Sequence, residues 1–221
     1  MTQREQIKRG SSTAAVPPVA SLRGKQASRR QKIVDKAYEM IRDSDGANIE
    51  IREVAERAGV ALGTAYRYFG SKNRLFAEAF EKSVVEYQER VTPAVRKGKT
   101  NLERLRIASF TMIDNYTQEP EFRRIWKRDL RGDDDPAVVE ITRRCQRAGL
   151  GFFRDCVEGV DQADAESIAL IVASVVSETQ DRVTSGEVSV DEARREVAKV
   201  VRMVLEFRDP TLPKAPRRAK S

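Results

Sequence analysis

Residues 46–76 constrain this chain more than any other stretch, because they read as two short helices joined by one tight turn. The first helix runs from about Glu50 to Ala58, with Val54 and Ala55 facing inward and Arg52, Glu53 and Glu56 facing out. Gly59 follows where the chain must reverse, and glycine enters left-handed backbone space without a Cβ clash. Val60 then anchors a second helix that continues to about Tyr68. Ala55 is small enough for the two axes to approach closely. A helix-turn-helix of this kind lays its second helix in the DNA major groove, with the side chains near its start on base edges.

The spacing Val-Ala-x-x-Ala-Gly-Val-x-x-Gly-Thr-x-Tyr-x-Tyr-Phe-x-Ser-Lys-x-x-Leu, from Val54 to Leu75, closely resembles that of the TetR family of bacterial transcriptional regulators. The resemblance covers about residues 28–80; beyond them only length and helical character match. It implies roles for individual positions. Arg52 is placed to fork onto guanine O6 and N7, or to pair with Glu56 one helical turn on; the spacing allows both. Leu62, Gly63, Thr64, Arg67 and Tyr68 are expected to face the groove, with Gly63 allowing close backbone approach and Thr64 bonding a phosphate or packing on a thymine methyl. Tyr66 and Lys72 are expected at phosphates, and Phe69 in the core. Two positions depart from the family pattern. Leu62 stands where a polar side chain is common, and Ala61 where a serine often caps the recognition helix.

The net charge of +7 is unevenly spread. Residues 1–32 carry eight basic side chains, Arg29 and Arg30 among them, against Glu5 alone, while 209–221 carry four against Asp209. The body between them is therefore slightly acidic. A basic arm ahead of the first helix can add sequence-independent phosphate attraction or be a solvated leader, and Arg29 and Arg30, at the start of that helix, are expected DNA contacts. With no histidine, and with Cys145 and Cys156 expected on one helix about 16 Å apart, neither a zinc site nor a disulfide is expected. No run of eighteen apolar residues and no secretory core are present, so a cytoplasmic protein without membrane contact is expected.

Apolar spacing of three and four predicts helices at about 28–43, 71–91, 101–118, 121–131, 136–158, 162–184 and 190–207, and no alternating strand pattern occurs. Ser71 is a plausible N-cap, and Pro136 suits a first helical turn. The fold class is all-α. A disordered basic arm (1–26), a three-helix DNA-binding domain (27–72), a helical ligand-binding and dimerisation domain (73–208) and a basic tail (209–221) are expected.

The resemblance implies a homodimer built on the last two helices, with Ile168, Ile171, Val172 and Val175 meeting Val197, Val200, Val201 and Val204. One short recognition helix reads few base pairs, so two copies on a palindrome also follow from DNA geometry. Family members usually bind a small molecule in the C-terminal part. The candidate lining residues are Phe110, Met112, Tyr116, Phe122, Trp126, Phe152 and Phe153; such aromatics serve equally as plain core. The basic cluster Arg123, Arg124, Lys127, Arg128 and Arg131 reads as a solvated face balanced by Asp129 and Asp133 to Asp135, or as the seat of a carboxylate or phosphate such as an acyl-CoA. No histidine base, phosphate loop or dinucleotide fingerprint is present, so neither an enzyme nor a cofactor is expected. The expected function is a homodimeric repressor on a palindromic operator, released by an unknown inducer. The alternative is a ligand-independent or activating regulator whose C-terminal part serves dimerisation only.

Overall fold

The computed structural model describes residues 24–44 and 49–208. Among the described residues it is all-helical, with α1 (Lys25–Arg42), α2 (Ile51–Ala58), α3 (Leu62–Phe69), α4 (Lys72–Val95), α5 (Asn101–Gln118), α6 (Pro120–Ile125), α7 (Pro136–Arg154), α8 (Gln162–Thr184) and α9 (Val190–Arg208). A single π-helical turn, Trp126–Leu130, extends α6. The basic arm up to residue 23 and the tail from residue 209 lie outside the described residues.

Local chemistry sets the boundaries. Ser71 accepts the Arg74 amide at 3.2 Å and starts α4, Thr100 caps α5, and Asp135 and Asp161 cap α7 and α8 through Ala137 and Asp164. The recognition helix α3 starts without such a cap, since Ala61 has no side-chain acceptor. Gly59 ends α2 at φ 69°, the left-handed state that the two-helix turn requires. The helix expected over 136–158 stops at Arg154, so Cys156 sits in the following turn. Both cysteines are free and buried; Cys145 packs in one apolar cluster and Cys156 in the other.

The first cluster joins Ile33, Ala37 and Ile41 of α1 to Val54, Ala55, Ala65 and Phe69, and then continues through Leu75, Phe76 and Phe80 to Phe122, Ile125, Leu130 and Val138. The second holds Leu105, Ala108, Ile113, Phe153, Ile168, Val172, Val176, Val197, Val201 and Leu205. The core is therefore not divided at residue 72. Tyr38 of α1 stacks on Phe122 of α6 with ring centroids 5.2 Å apart, tying the first helix to the sixth. Four of the residues expected at a dimer interface, Ile168, Val172, Val197 and Val201, are core of their own protomer. They sit at i, i+4 in the apolar cluster that α8 and α9 share with α5 and α7, leaving Leu170, Ile171 and Met203 as the exposed large apolar side chains of those helices.

Gly98, buried between α4 and α5, shows why that turn is tight. A Cβ there would meet the Arg104 backbone nitrogen at 2.9 Å, and Arg104 Nη1 donates to the Gly98 carbonyl at 3.2 Å. Gly98→Ala should lower the melting temperature by several degrees while leaving the helix-turn-helix face intact, since an overpacked site costs about 1–3 kcal/mol. A thermal scan compared with wild type checks this.

Candidate nucleic-acid interface and cavity

The side of α3 turned away from the core carries Gly63, Tyr66 and Arg67, all exposed, with Thr64 half-buried beside them. Nothing lies within 4 Å of a Cβ built on Gly63. Arg52 and Arg57 are exposed on α2, and among the described residues Arg52 has no ion-pair partner, so the pairing with Glu56 is not formed. Lys72 is occupied: its ammonium lies 3.2 Å from Glu50 and 5.3 Å from the Phe76 ring centroid. Arg29 is exposed one turn into α1.

Three assignments on this face need correction. Tyr68 is buried, edge-on to Phe69, and does not face a groove. Tyr66 and Tyr68 are two residues apart on a helix, about 200° around the axis, so one cannot be outside unless the other is inside. Tyr66 is the outward one, 45% exposed. Leu62 is half-buried against the core, which leaves little of it for a thymine methyl. Arg30 is not available as a DNA contact: it is buried, its guanidinium lies 4.7 Å from the Phe69 ring centroid and it pairs with Glu78 of α4. Burial pushes the Glu78 carboxyl above its usual range, and Arg30 offsets this in part. The pair thus fastens α1, α3 and α4 at one point.

The first turn of α4 is gripped a second time, from the loop before α7. Asn73 Nδ2 donates to the Asp129 carbonyl at 3.1 Å and to Asp133 Oδ2 at 2.6 Å, and Arg74 Nε to Asp135 Oδ2 at 2.5 Å. The Arg74 bond holds the Asp135 carboxyl below its usual range. Two turns on, Arg144 of α7 forks onto Glu81 at 2.7 and 2.8 Å. These partners lie 56 to 63 residues apart, and sequence reading placed the aspartates only as a balancing acidic run.

Behind α4 lies a cavity of about 620 Å³ between α4, α5, α6, α7 and α8. Met112, Tyr116, Phe122, Trp126 and Phe153 line it as expected from sequence. Phe110 and Phe152 do not. Phe110 lies under the guanidiniums of Arg106 and Arg194, and Phe152 packs edge-on to Tyr87 and Phe153. Tyr87, Leu150, Leu170 and Cys145 complete the apolar lining. Burial pushes the Cys145 thiol up to about 12, so at neutral pH it is an inert packing group. Trp126 stacks on Phe80 at 5.0 Å, so the π-turn forms both a cavity wall and the start of the loop that grips α4.

One end of the cavity is charged. Arg123 of α6 is buried and gives Nε to Asp181 at 2.8 Å and Nη2 to the Ser177 carbonyl and hydroxyl at 3.0 Å each. Lys127 reaches the other Asp181 oxygen at 3.1 Å. Among the described residues no group of three or more metal-ligating side chains occurs, and no helix is long and apolar enough to cross a membrane.

A three-helix unit with a positive-φ turn, an exposed second helix and exposed arginines, set on a long helix that walls a cavity, defines a helix-turn-helix DNA-binding regulator. Comparison with known proteins is consistent with this. Residues 33–79 match the family model for bacterial regulatory proteins of the tetR family. The chain is 27% identical over 150 residues to the HTH-type transcriptional repressor KstR of Mycolicibacterium smegmatis, covering 68% of this chain and 74% of that protein. Its fold is similar to a TetR transcriptional regulator from Rhodococcus sp. RHA1, at TM-score 0.68 and 18% identity over 82% of this chain and 98% of that one. It is similar also to the regulator FadR of Bacillus subtilis solved with stearoyl-CoA, at TM-score 0.60 and 17% identity over 77% and 96%. Residues 33–79 thus match the DNA-binding part of the tetR family, and the chain as a whole is similar to regulators of that family.

Proposed function

We propose that the protein is a homodimeric repressor that binds a palindromic operator through α3 and α2 and is released when a small molecule occupies the cavity. The observation that carries this is the double duty of α4. Its first turn follows the recognition helix directly and is held by Asp129, Asp133 and Asp135, while Phe80, Ser83, Val84, Tyr87 and Gln88 of the same helix line the cavity. A ligand that favours one position of α4 must then favour one position of the reading head. Residues 27–72 act as the DNA-binding unit and 73–208 as the effector and dimer unit. Arg52, Arg67, Tyr66, Thr64, Gly63 and Arg29 are its DNA contacts, with Lys72 available once it leaves Glu50.

Selection of binding sites from a random duplex library tests the reading. An inverted repeat is expected, and Arg52→Ala should relax one position of it at a cost of about 1–3 kcal/mol. Salt-sensitive binding with no motif would rule out a sequence-specific repressor. Gly63→Val separates fold from contact: the structure has room for the side chain, so stability should stay within about 1 kcal/mol. Operator affinity should nevertheless drop at least about tenfold, because the branched side chain projects where a groove wall would lie.

The dimer face is assigned to the outer side of α8 and α9, with Ile171 and Met203 at its centre and Val175, Val200 and Val204 half-buried beside them. Met203 is 67% exposed in one protomer, an unusual position for a large apolar side chain. Ile171→Asp with Met203→Asp should give a folded monomer by sedimentation velocity. An undisturbed dimer would place the interface elsewhere.

A further inference from the structure

We propose that Lys25, Arg29 and Lys32 of α1 form a track for the phosphates that flank an operator half-site, and that this track, not the helix-turn-helix pair, supplies most of the salt-sensitive attraction to DNA. The inference rests on the reading of α3 as the recognition helix and adds to it a second surface that is blind to sequence. Three observations carry it.

The first is placement. Lys25, Arg29 and Lys32 are exposed and recur at i, i+4 and i+7, within about 60° of one another around the helix axis. Lys32 is the end of the stripe beside the turn: its ammonium lies 3.8 Å from a Cβ built on Gly59, three residues before α3 begins. The start of a recognition helix is the part that meets base edges, so the DNA backbone bordering that groove passes close to Lys32. From Lys25 to Lys32 the stripe rises about 10 Å, the axial length of about three phosphates of one strand.

The second is that these charges are unspent. Among the described residues none of the three side chains has an ion-pair partner, and residues 24–34 contain no acidic side chain. The stripe ends where its charge is taken up, since Lys36, at i+11 on the same face, is paired with Glu39.

The third is the balance of the reading head. Residues 49–72 hold four cations, Arg52, Arg57, Arg67 and Lys72, against three carboxylates, a net charge of +1. The carboxylates, Glu50, Glu53 and Glu56, are all exposed, and Glu50 holds Lys72 at 3.2 Å. Such a head gains little net attraction to a phosphate backbone, and its free arginines are left to read base edges. The cations that displace counterions must come from elsewhere, and the α1 stripe beside the turn has them.

The test measures the affinity of the full chain for the selected operator and for an unrelated duplex by fluorescence anisotropy, between about 50 and 200 mM KCl. Lys25→Gln, Arg29→Gln and Lys32→Gln are combined in one variant. Arg96→Gln, Lys97→Gln and Lys99→Gln, combined in another, remove as much charge at the far end of α4, from exposed side chains that have no ion pair among the described residues. In the α1 variant the slope of log affinity against log salt should become shallower by about 5, at about 0.9 for each of six phosphates per dimer. The change should be equal on both duplexes and leave the selected motif intact, because phosphate contacts carry no sequence information. The far-end variant should keep the parent slope. Lys32→Gln alone should lose about 2, which keeps the question decidable if the triple variant folds poorly.

A parent-like slope in the α1 variant would overturn the proposal. So would equal losses in the two triple variants, which would mean that net charge alone steers the protein, and so would a loss confined to the operator, which would make α1 a base reader. If the parent selects no inverted repeat, the operator reading fails, while the slope on the unrelated duplex still decides the track.

Discussion

Replacing Arg30 by methionine is expected to cost about 3–5 kcal/mol of folding stability, the penalty for removing one partner of a buried ion pair. The guanidinium lies on the Phe69 ring and pairs with Glu78, and both side chains are well shielded from water. Without it a mostly buried carboxylate has lost its cation. The loss should depend on pH in a defined direction. Burial already raises the Glu78 carboxyl, so its ionisation disfavours the folded state, and removing Arg30 raises it further. A raised carboxyl leaves stability intact below its unfolded value near 4.5 and lowers it as pH climbs through the folded value. The penalty should therefore be full at pH 7 and shrink as pH falls toward 4.5. Arg30→Met with Glu78→Leu removes both charges and should recover most of the stability, since apolar replacement of a whole buried pair is often neutral or better. Urea unfolding of the three proteins at two pH values decides it. Equal losses in the single and double variants would mean that packing on Phe69, not the charge pair, is what Arg30 supplies.

The second large effect is expected at the grip on α4. Asn73→Ala with Arg74→Ala removes every hydrogen bond that the first turn of α4 receives from the loop before α7. These bonds are partly exposed, so stability should change by about 1 kcal/mol or less. Coupling should change much more. If the grip carries the signal, operator and cavity ligand oppose each other by about 5–150-fold in the parent, and by reciprocity operator DNA alone should alter Trp126 emission. In the double variant operator affinity should persist while the emission change disappears. An undiminished change would route the signal elsewhere, with Tyr38 on Phe122 the next contact to test. Acidification should loosen the same grip. The Asp135 carboxyl is lowered by Arg74, so its contribution is present above its unfolded value of 3.8 and fades as pH falls through the lower folded value.

Much of this architecture is legible in the chain itself. The turn at Gly59, the Ser71 cap and the proline start of α7 are local signals, and the helix starts tied to them fall within a residue or two of the structure, while the C-terminal ends of α4 and α7 each miss by four residues. Facing is harder. The apolar residues of α8 cover more than one side, and nothing local says that Ile168 and Val172 are core while Leu170 walls the cavity and Ile171 lies exposed. Tyr68 was open to correction from sequence alone, since its two-residue offset from Tyr66 excludes a shared face. Arg30 was not. Its burial depends on Glu78, 48 positions away, and an arginine in a basic stretch ordinarily stays in water. The grip on Asn73 and Arg74 is equally non-local. Five of the seven aromatic and methionine candidates line the cavity, but Phe110 and Phe152 share their spacing and chemistry and differ only in which neighbour they meet.

The length of α4 gives small motions a large reach. At 1.5 Å per residue its 24 residues span about 36 Å, and Pro93, the residue that interrupts its hydrogen-bond ladder, falls only in the last turn. A tilt of only about 5° around its midpoint, where the cavity wall lies, would swing the first turn by about 1.5 Å. With one such swing at each half-site, the spacing of two recognition helices changes by roughly the difference between a made and a broken hydrogen bond. Under the proposed mechanism, a bulky ligand would not have to unfold or reorder anything to clear the operator; acting on the middle of one long helix would be enough.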